Sequence, residues 1–375
     1  MSYNSGKKGP KVLISGYYGF DNCGDEAVLL AIVHCLKTLI PDIRIVVLSN
    51  NPKKTKALYT INAVNRWNPI RLALELISCR LLISGGGSLL QDVTSSKSLR
   101  YYLAIIKMAA IFRKKVIIYS QGIGPLNDEK NRMRVFRTLR RCHAITVRDE
   151  RSAGLLKELG VKRDVQVVSD PVIALSLEDV ESAGVEDQLR GLIASDDSRK
   201  DKKPLLMAAV RQWGDCKYIA PVAEFLDKQA KGGWDVLLVS AHYPSDLDAA
   251  NTIKNLMTER PLILDKCLTA KEFIALTARA DRVFSMRLHG LICAFAVGTP
   301  MIGLSYDPKV DAFMEQSGLS DYCLSFDNFD CGAAERLMLE LDTITNKTQE
   351  AQETRRRELR ALAWEAAEKA AALLG

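Results

Sequence analysis

Apolar positions along this chain alternate between two patterns. Short unbroken apolar runs such as Lys11-Val12-Leu13-Ile14-Ser15-Gly16 read as strands buried on both faces. Longer stretches with apolar residues at helical spacing follow them. In the first half, strands are predicted at Lys11–Gly16, Arg44–Leu48, Leu81–Ser84, Lys115–Ser120, Ala144–Val147 and Val165–Val168. Helices are predicted near Glu26–Ile40, Asn68–Ser78, Leu99–Arg113, Lys130–Cys142 and Arg151–Leu159. The second half repeats the pattern, with strands at Leu205–Val210, Trp234–Ser240, Leu262–Leu264, Arg282–Ser285 and Met301–Leu304. Its helices include Ile219–Ala230, Leu291–Val297 and a long one at Thr348–Leu374. Strand, turn and helix in strict alternation imply parallel sheets flanked by helices.

A length of 375 residues suits two such cores rather than one. The division expected is an α/β domain over 1–175, a polar linker over 176–203, a second α/β domain over 204–346 and a C-terminal helix over 347–375. Met1–Pro10 reads as a loose leader. Two α/β domains with a cleft between them resemble the GT-B architecture of many sugar-modifying transferases, and architecture alone does not assign a reaction.

Charge separates the halves. Residues 1–175 hold 28 Lys and Arg against 13 Asp and Glu, while the remainder holds 24 against 32. The first half is thus suited to an anionic partner: a phosphorylated substrate, a membrane surface or nucleic acid. The basic helix with Lys130, Arg132, Arg134, Arg137, Arg140 and Arg141 could face acidic lipid heads or a lipid-linked diphosphate. The apolar segment Tyr101–Phe112 beside it could touch a bilayer, the competing reading being a core helix and a solvated basic face. Nucleic acid is disfavoured, because no aromatic platform accompanies the charge. No run approaches the roughly 20 apolar residues of a membrane span. Nine cysteines, none in C-x-x-C spacing, and a polar basic N-terminus point to reduced thiols in a cytoplasmic protein without a structural zinc site.

The candidate chemistry sits where strands end, which is where open α/β sheets bind ligands. Arg287 and His289, in Ser285-Met286-Arg287-Leu288-His289-Gly290, follow a strand and precede a helix expected to start near Gly290. A helix N-terminus next to an arginine favours a phosphate or carboxylate. A histidine there, with its pKa near neutrality, is a candidate general acid or base. The competing roles are a surface ion pair for Arg287 and a helix cap for His289. Arg211 follows the strand Leu205–Val210, and Arg148 follows Ala144–Val147, where ordinary pairing with its acidic neighbours competes. The glycine-rich turns at Gly16–Glu26 and Gly85–Ser88 would admit a ligand close to the backbone or would serve tight strand–helix packing. Neither has Walker or dinucleotide spacing.

Taken in order, Gly16–Glu26 with Asn22-Cys23-Gly24-Asp25-Glu26, Gly85-Gly86-Gly87-Ser88, Gln121-Gly122-Ile123-Gly124-Pro125, Val147-Arg148-Asp149, Ser169-Asp170-Pro171 and Ser285–Gly290 resemble the polysaccharide pyruvyltransferase family. The likeness is strongest to its bacterial cell-wall members, which place a pyruvate ketal on N-acetylmannosamine of a polyprenyl-diphosphate-linked disaccharide. That ketal later anchors surface-layer proteins. The resemblance implies phosphoenolpyruvate as co-substrate and no metal or other cofactor, and together with the cysteines and the basic half it leaves open a peripheral contact of a cytoplasmic enzyme with the inner face of the cell membrane. On that basis His289 and Arg287 are expected to be catalytic. Arg148, Arg211, Arg287, Leu288 and His289 are expected to hold phosphoenolpyruvate, because arginines pair best with its carboxylate and phosphate. Gly19, Asn22, Asp25, Glu26, Gly86, Gly87 and Asp170 are expected near the acceptor, with the first domain as the acceptor side. The rival readings are a GT-B glycosyltransferase using a nucleotide sugar and a non-catalytic scaffold for polymer assembly at the membrane surface.

Overall fold

A computed structural model describes residues 9–93, 95–180, 203–343 and 346–375. Most of the expected leader and of the expected linker lies outside these residues. The chain divides into two compact units, one of Met1–Phe20, Val28–Ala174 and Ala361–Gly375, the other of Asp21–Ala27 and Leu175–Arg360.

The first unit is a seven-stranded sheet: β1 (Lys11–Ser15), β2 (Arg44–Ser49), β3 (Asn62–Asn65), β4 (Leu81–Gly85), β5 (Lys115–Gln121), β6 (Ala144–Val147) and β7 (Val165–Val167). Its order is β3-β2-β1-β4-β5-β6-β7, and the pairings are parallel. The chain reverses direction across the sheet beside β1, the switch point of a doubly wound fold. Leu13 pairs with Val46 on one side and Leu82 on the other, and all three are buried. The helices of this unit are α1 (Cys23–Leu39, from Val28 onward), α2 (Pro52–Tyr59), α3 (Pro69–Ser78), α4 (Ser96–Ile111), α5 (Glu129–Leu139) and α6 (Glu150–Glu158).

Two of these elements are absent from the sequence reading. The first, α2, is rich in lysine, and is fixed by Asn51, whose side chain accepts the Lys54 N–H, and by Pro52 in its first turn. The second, β3, is a short edge strand with asparagine at both ends, so it carries almost no apolar signal.

Burial decides the Tyr101–Phe112 question in favour of core. Tyr102, Leu103, Ile105, Ile106 and Ala109 of α4 are at most 2% exposed and pack on the sheet. Nor is all of the basic helix solvated. Arg132 pairs with Glu158 at 2.6 Å, and α5 ends at Leu139, before Arg140 and Arg141. Among the described residues no helix is long and apolar enough to cross a membrane.

The second unit repeats the plan with six parallel strands: β8 (Leu205–Ala209), β9 (Asp235–Val239), β10 (Leu262–Leu264), β11 (Arg282–Ser285), β12 (Met301–Ser305) and β13 (Cys323–Ser325). The order β10-β9-β8-β11-β12-β13 again has its first strand in the middle. Phe225, Phe284 and Phe329 cluster in its core, with Phe225 and Phe284 centroids 5.2 Å apart. The expected C-terminal helix is Asn346–Ala372, and its residues are shared between the units at Arg360/Ala361. Ala363, Ala366, Ala367 and Ala370 are fully buried in the first unit, where their small side chains let this helix pack closely.

Candidate functional site

The carboxyl ends of β8, β9, β11 and β12 lie side by side in the second unit, and the segments that follow them carry Arg211, His242, Arg287 and His289. After β11 the helix Leu288–Val297 begins directly, with Arg287 as its cap residue. It therefore starts two residues earlier than the expected Gly290, and His289 lies inside the first turn. Ser285 makes this possible: its hydroxyl accepts the Arg287 N–H at 3.1 Å and donates to the Arg287 carbonyl at 2.8 Å. Gly290 must lack a side chain, because a Cβ there would lie 3.1 Å from the Ser285 Cβ and closer still to its hydroxyl.

Arg287 is gripped by Asp246, from the loop after β9. Its Nε donates to Oδ2 at 3.0 Å and its Nη2 donates to Oδ1. Asp246 is almost fully buried, and it also accepts the His242 N–H at 2.9 Å. This planar two-point pair fixes the guanidinium plane, and it does not use Nη1. Asp246 stands 41 residues from Arg287, and only a polar strand-end loop marks it in the sequence.

Arg211 leaves the neighbouring strand β8. Its Nη1 donates to the Tyr306 hydroxyl at 3.2 Å, and its guanidinium lies over the rings of Trp213 and Tyr306, 4.8 and 5.3 Å from their centroids. The Tyr218 hydroxyl donates to the Arg211 carbonyl. Two aromatic faces and a hydroxyl hold this cation in place after β8. Leu288 is buried and supports the helix start.

The segment Asn22-Cys23-Gly24-Asp25-Glu26 belongs to this same unit. The Cys23 N–H donates to the Ala241 carbonyl at 2.8 Å, the Tyr243 N–H to the Asp21 carbonyl at 3.2 Å, and Asn22 pairs with His242. Asn22 also opens α1, its side chain accepting the Gly24 N–H at 3.0 Å. Gly24 lies against His289: a Cβ on it would be 2.8 Å from the histidine Cβ, 2.5 Å from Cγ and nearer still to Nδ1. Two motifs some 260 positions apart in the chain are thus one packed surface.

The other expected residues lie in the first unit, also at strand ends. Arg148, after β6, is buried. Its Nη2 donates to Ser88 Oγ at 3.0 Å, its Nε approaches Asp149 at 3.5 Å and its Nη1 approaches Asp170 at 3.6 Å. Its guanidinium fills the space a side chain on Gly122 would need. Asp170 also accepts the Val172 N–H at 3.1 Å. Gly19, Gly86 and Gly87 have φ of 80°, 55° and 66°, which favours glycine, and Gly86 lies against Val28. Among the described residues no group of three or more His, Cys, Asp or Glu side chains could hold a metal ion, and none of the nine cysteines is in a disulfide.

Two Rossmann-like units, the second with a clamped arginine and a first-turn histidine at its strand ends, define an α/β protein of GT-B-like fold. The structure of S. aureus MnaA with UDP is similar at a TM-score of 0.65 and 12% identity, covering 95% of this chain and 94% of that one. UDP-GlcNAc 2-epimerase from Neisseria meningitidis bound to UDP-GlcNAc gives 0.61 and 14%, covering 97% and 99%. A glycosyltransferase from Rickettsia africae gives 0.60 and 11%, covering 96% and 97%. At such identities the likeness shows the fold alone. No curated protein matches the chain. The chain belongs to the polysaccharide pyruvyl transferase family, whose model matches residues 22–308, from Asn22 through the Arg287–His289 turn.

Proposed function

We propose that the protein transfers the pyruvyl group of phosphoenolpyruvate to a saccharide and closes it as a cyclic ketal. The observation that supports this most directly is that His289, packed on Gly24, lies in the first helical turn after the clamped Arg287, one strand away from Arg211. Phosphoenolpyruvate carries a carboxylate and a phosphate on a three-carbon skeleton. Arg287 through Nη1, Arg211 and the first-turn amides of the helix Leu288–Val297 are assigned to these two anions. Arg148 is assigned a supporting part, because Ser88, Asp149 and Asp170 already approach three of its nitrogens.

In the reaction, His289 delivers a proton to the methylene carbon, turning it into the ketal methyl. The cationic carbon left at C2 is attacked by one sugar hydroxyl, which gives up its proton. Cleavage of the C2–O bond releases inorganic phosphate, and a second hydroxyl attacks C2 to close the ring, its proton passing to the departing phosphate. The acceptor assigned is N-acetylmannosamine of a lipid-linked cell-wall disaccharide, a substrate that the family resemblance suggests and that suits the basic first unit.

The test is incubation with phosphoenolpyruvate and a synthetic disaccharide, followed by mass spectrometry and phosphate assay. A gain of one pyruvate less one water, with stoichiometric phosphate, is the expected result. A hexose increment from a nucleotide sugar instead would identify a glycosyltransferase and overturn the proposal. Replacing His289 by Ala should lower turnover by about 100- to 10,000-fold, the usual contribution of a placed acid or base, with the fold retained. Near-normal turnover in His289→Ala would remove histidine from the mechanism.

A further inference from the structure

The first unit exposes a continuous apolar stripe that its own core does not use. Helix α3 buries Leu72 and Leu76. Outward it presents Ile70, Leu74 and Ile77, 72%, 52% and 53% exposed, and Trp67, just before the helix, is 61% exposed. The spacing of three, four and three residues places them on one line along about 15 Å of helix. Single exposed apolar residues are ordinary, whereas four in a row on one face mark an interaction surface.

Trp67 is held on a pedestal. Buried Arg66 lies 4.5–5.4 Å from the ring centroids of Phe20, Trp67, Tyr101 and Tyr102, and the Trp67 indole N–H donates to Asn50 at 3.2 Å. The other end of the stripe meets a basic pocket. Lys114 donates to the Ile77 carbonyl at 2.7 Å, and it also lines a surface pocket of about 590 Å³ with Arg113, Arg140, Arg141 and Arg163. Among the described residues no carboxylate lines that pocket, and Ile111 on its rim is 73% exposed. Beside α3, the outward positions of α4 are Lys97, Arg100, Ala104, Lys107 and Ile111. The one acidic residue of α3, Glu75, pairs with Lys11.

We propose that α3 and the adjoining basic pocket dock this protein on an anionic phospholipid surface, with the apolar stripe entering the headgroup boundary and the arginines meeting lipid phosphates. A tryptophan with its polar edge anchored and its ring exposed suits that boundary. Charge argues against a second copy as the occupant, since a two-fold contact through this face would oppose its cationic rim to itself. Trp67 also sits beside the Gly16 turn, because Arg66 donates to the Gly16 carbonyl at 3.1 Å. Docking would therefore hold the carboxyl end of β1 close to the lipid. The proposal stands whether or not the reaction above is the right one.

The test uses the full chain and two vesicle preparations, pure phosphatidylcholine and phosphatidylcholine mixed with phosphatidylglycerol. Sedimentation should show binding to the mixed vesicles alone. Neutralising Arg140 and Arg141 together (each Arg→Gln) should weaken it about 25-fold, about fivefold per charge. The double variant Ile70→Ser, Leu74→Ser should weaken it about tenfold or more while leaving circular dichroism unchanged, since both positions are exposed. Vesicles should blue-shift the fluorescence of the wild type more than that of Trp67→Phe. The proposal is overturned if the wild type ignores the mixed vesicles or if both multiple variants bind like wild type. It is also overturned if light scattering finds a dimer that Ile70→Ser, Leu74→Ser converts to a monomer.

Discussion

Replacing Gly24 by alanine tests the packed surface at the centre of the site, because the added methyl would enter space that His289 occupies. The new carbon would lie 2.8 Å from the histidine Cβ and 2.5 Å from Cγ, where ordinary carbon contacts are about 3.5–4.0 Å. Turning the ring cannot relieve an overlap with Cβ itself. Either the first turn of the helix Leu288–Val297 shifts or the start of α1 does. Overpacking of this kind costs about 1–3 kcal/mol. A shift of about 1 Å in a catalytic group can cost about a hundredfold in rate. Gly24→Ala should thus lose about 1–3 kcal/mol in urea unfolding and most of its kcat. The decisive measurement is the same substitution in a His289→Ala background. There the contacts with Cγ and Nδ1 are gone and only the 2.8 Å contact with Cβ is left, so the stability cost should shrink without vanishing. A coupling of about 1 kcal/mol or more between the two sites is expected. Equal costs in the two backgrounds would refute the contact.

Two further predictions concern buried carboxylates. Removing Asp246 by substitution to Ala takes both hydrogen bonds from the Arg287 guanidinium and leaves it largely buried and unpaired, at a cost of about 3 kcal/mol in unfolding free energy. The freed arginine should also lose kcat/KM by about tenfold or more, and wild-type kinetics in Asp246→Ala would show that the clamp does not serve the reaction. For Asp227, burial pushes its carboxyl up, but hydrogen bonds from Lys231, the Glu259 N–H and Thr258 outweigh it and hold the pKa at about 2, against an ordinary value of 3.8. A depressed carboxylate stabilises the fold above its unfolded pKa, so this contribution, about 2 kcal/mol, should be complete above about pH 4 and fade as pH falls through about 2. Thermal unfolding across that range should show a shallower pH slope for Asp227→Asn, and an unchanged slope would rule out the linkage.

The parallel-sheet plan was legible because its central strands are unbroken apolar runs. Leu81-Leu82-Ile83 and Leu205-Leu206-Met207 allow no other reading once glycine and arginine follow them. The elements that escaped were those whose cause is polar or peripheral: α2, set by an asparagine cap, and the edge strands β3 and β13. Which residues meet was harder to read. In both sheets the first strand lies in the middle, so β8 touches β9 on one side and β11 on the other. The Asp246–Arg287 pair spans that arrangement, and no local spacing encodes it. The placement of Asp21–Ala27 with the second unit is likewise invisible in the chain order, which puts this segment directly after β1 of the first unit.

What an arginine can do depends on how many of its donors the protein already uses. Arg66 is enclosed by rings and by the Gly16 carbonyl, so it organises the surface around it and holds Trp67. Arg148 is buried with Ser88, Asp149 and Asp170 around its guanidinium, and it ties together loops that leave β4, β6 and β7. Arg287 and Arg211 differ in kind. Asp246 takes Nε and Nη2 of Arg287 but not Nη1, while the Tyr306 hydroxyl takes Nη1 of Arg211 and the rings of Trp213 and Tyr306 flank its plane. Each is fixed in orientation with donors to spare, the condition under which a guanidinium can meet an incoming anion at little entropic cost. Arginines at strand ends look alike in the sequence, and the structure separates them by how many of their donors the protein already engages.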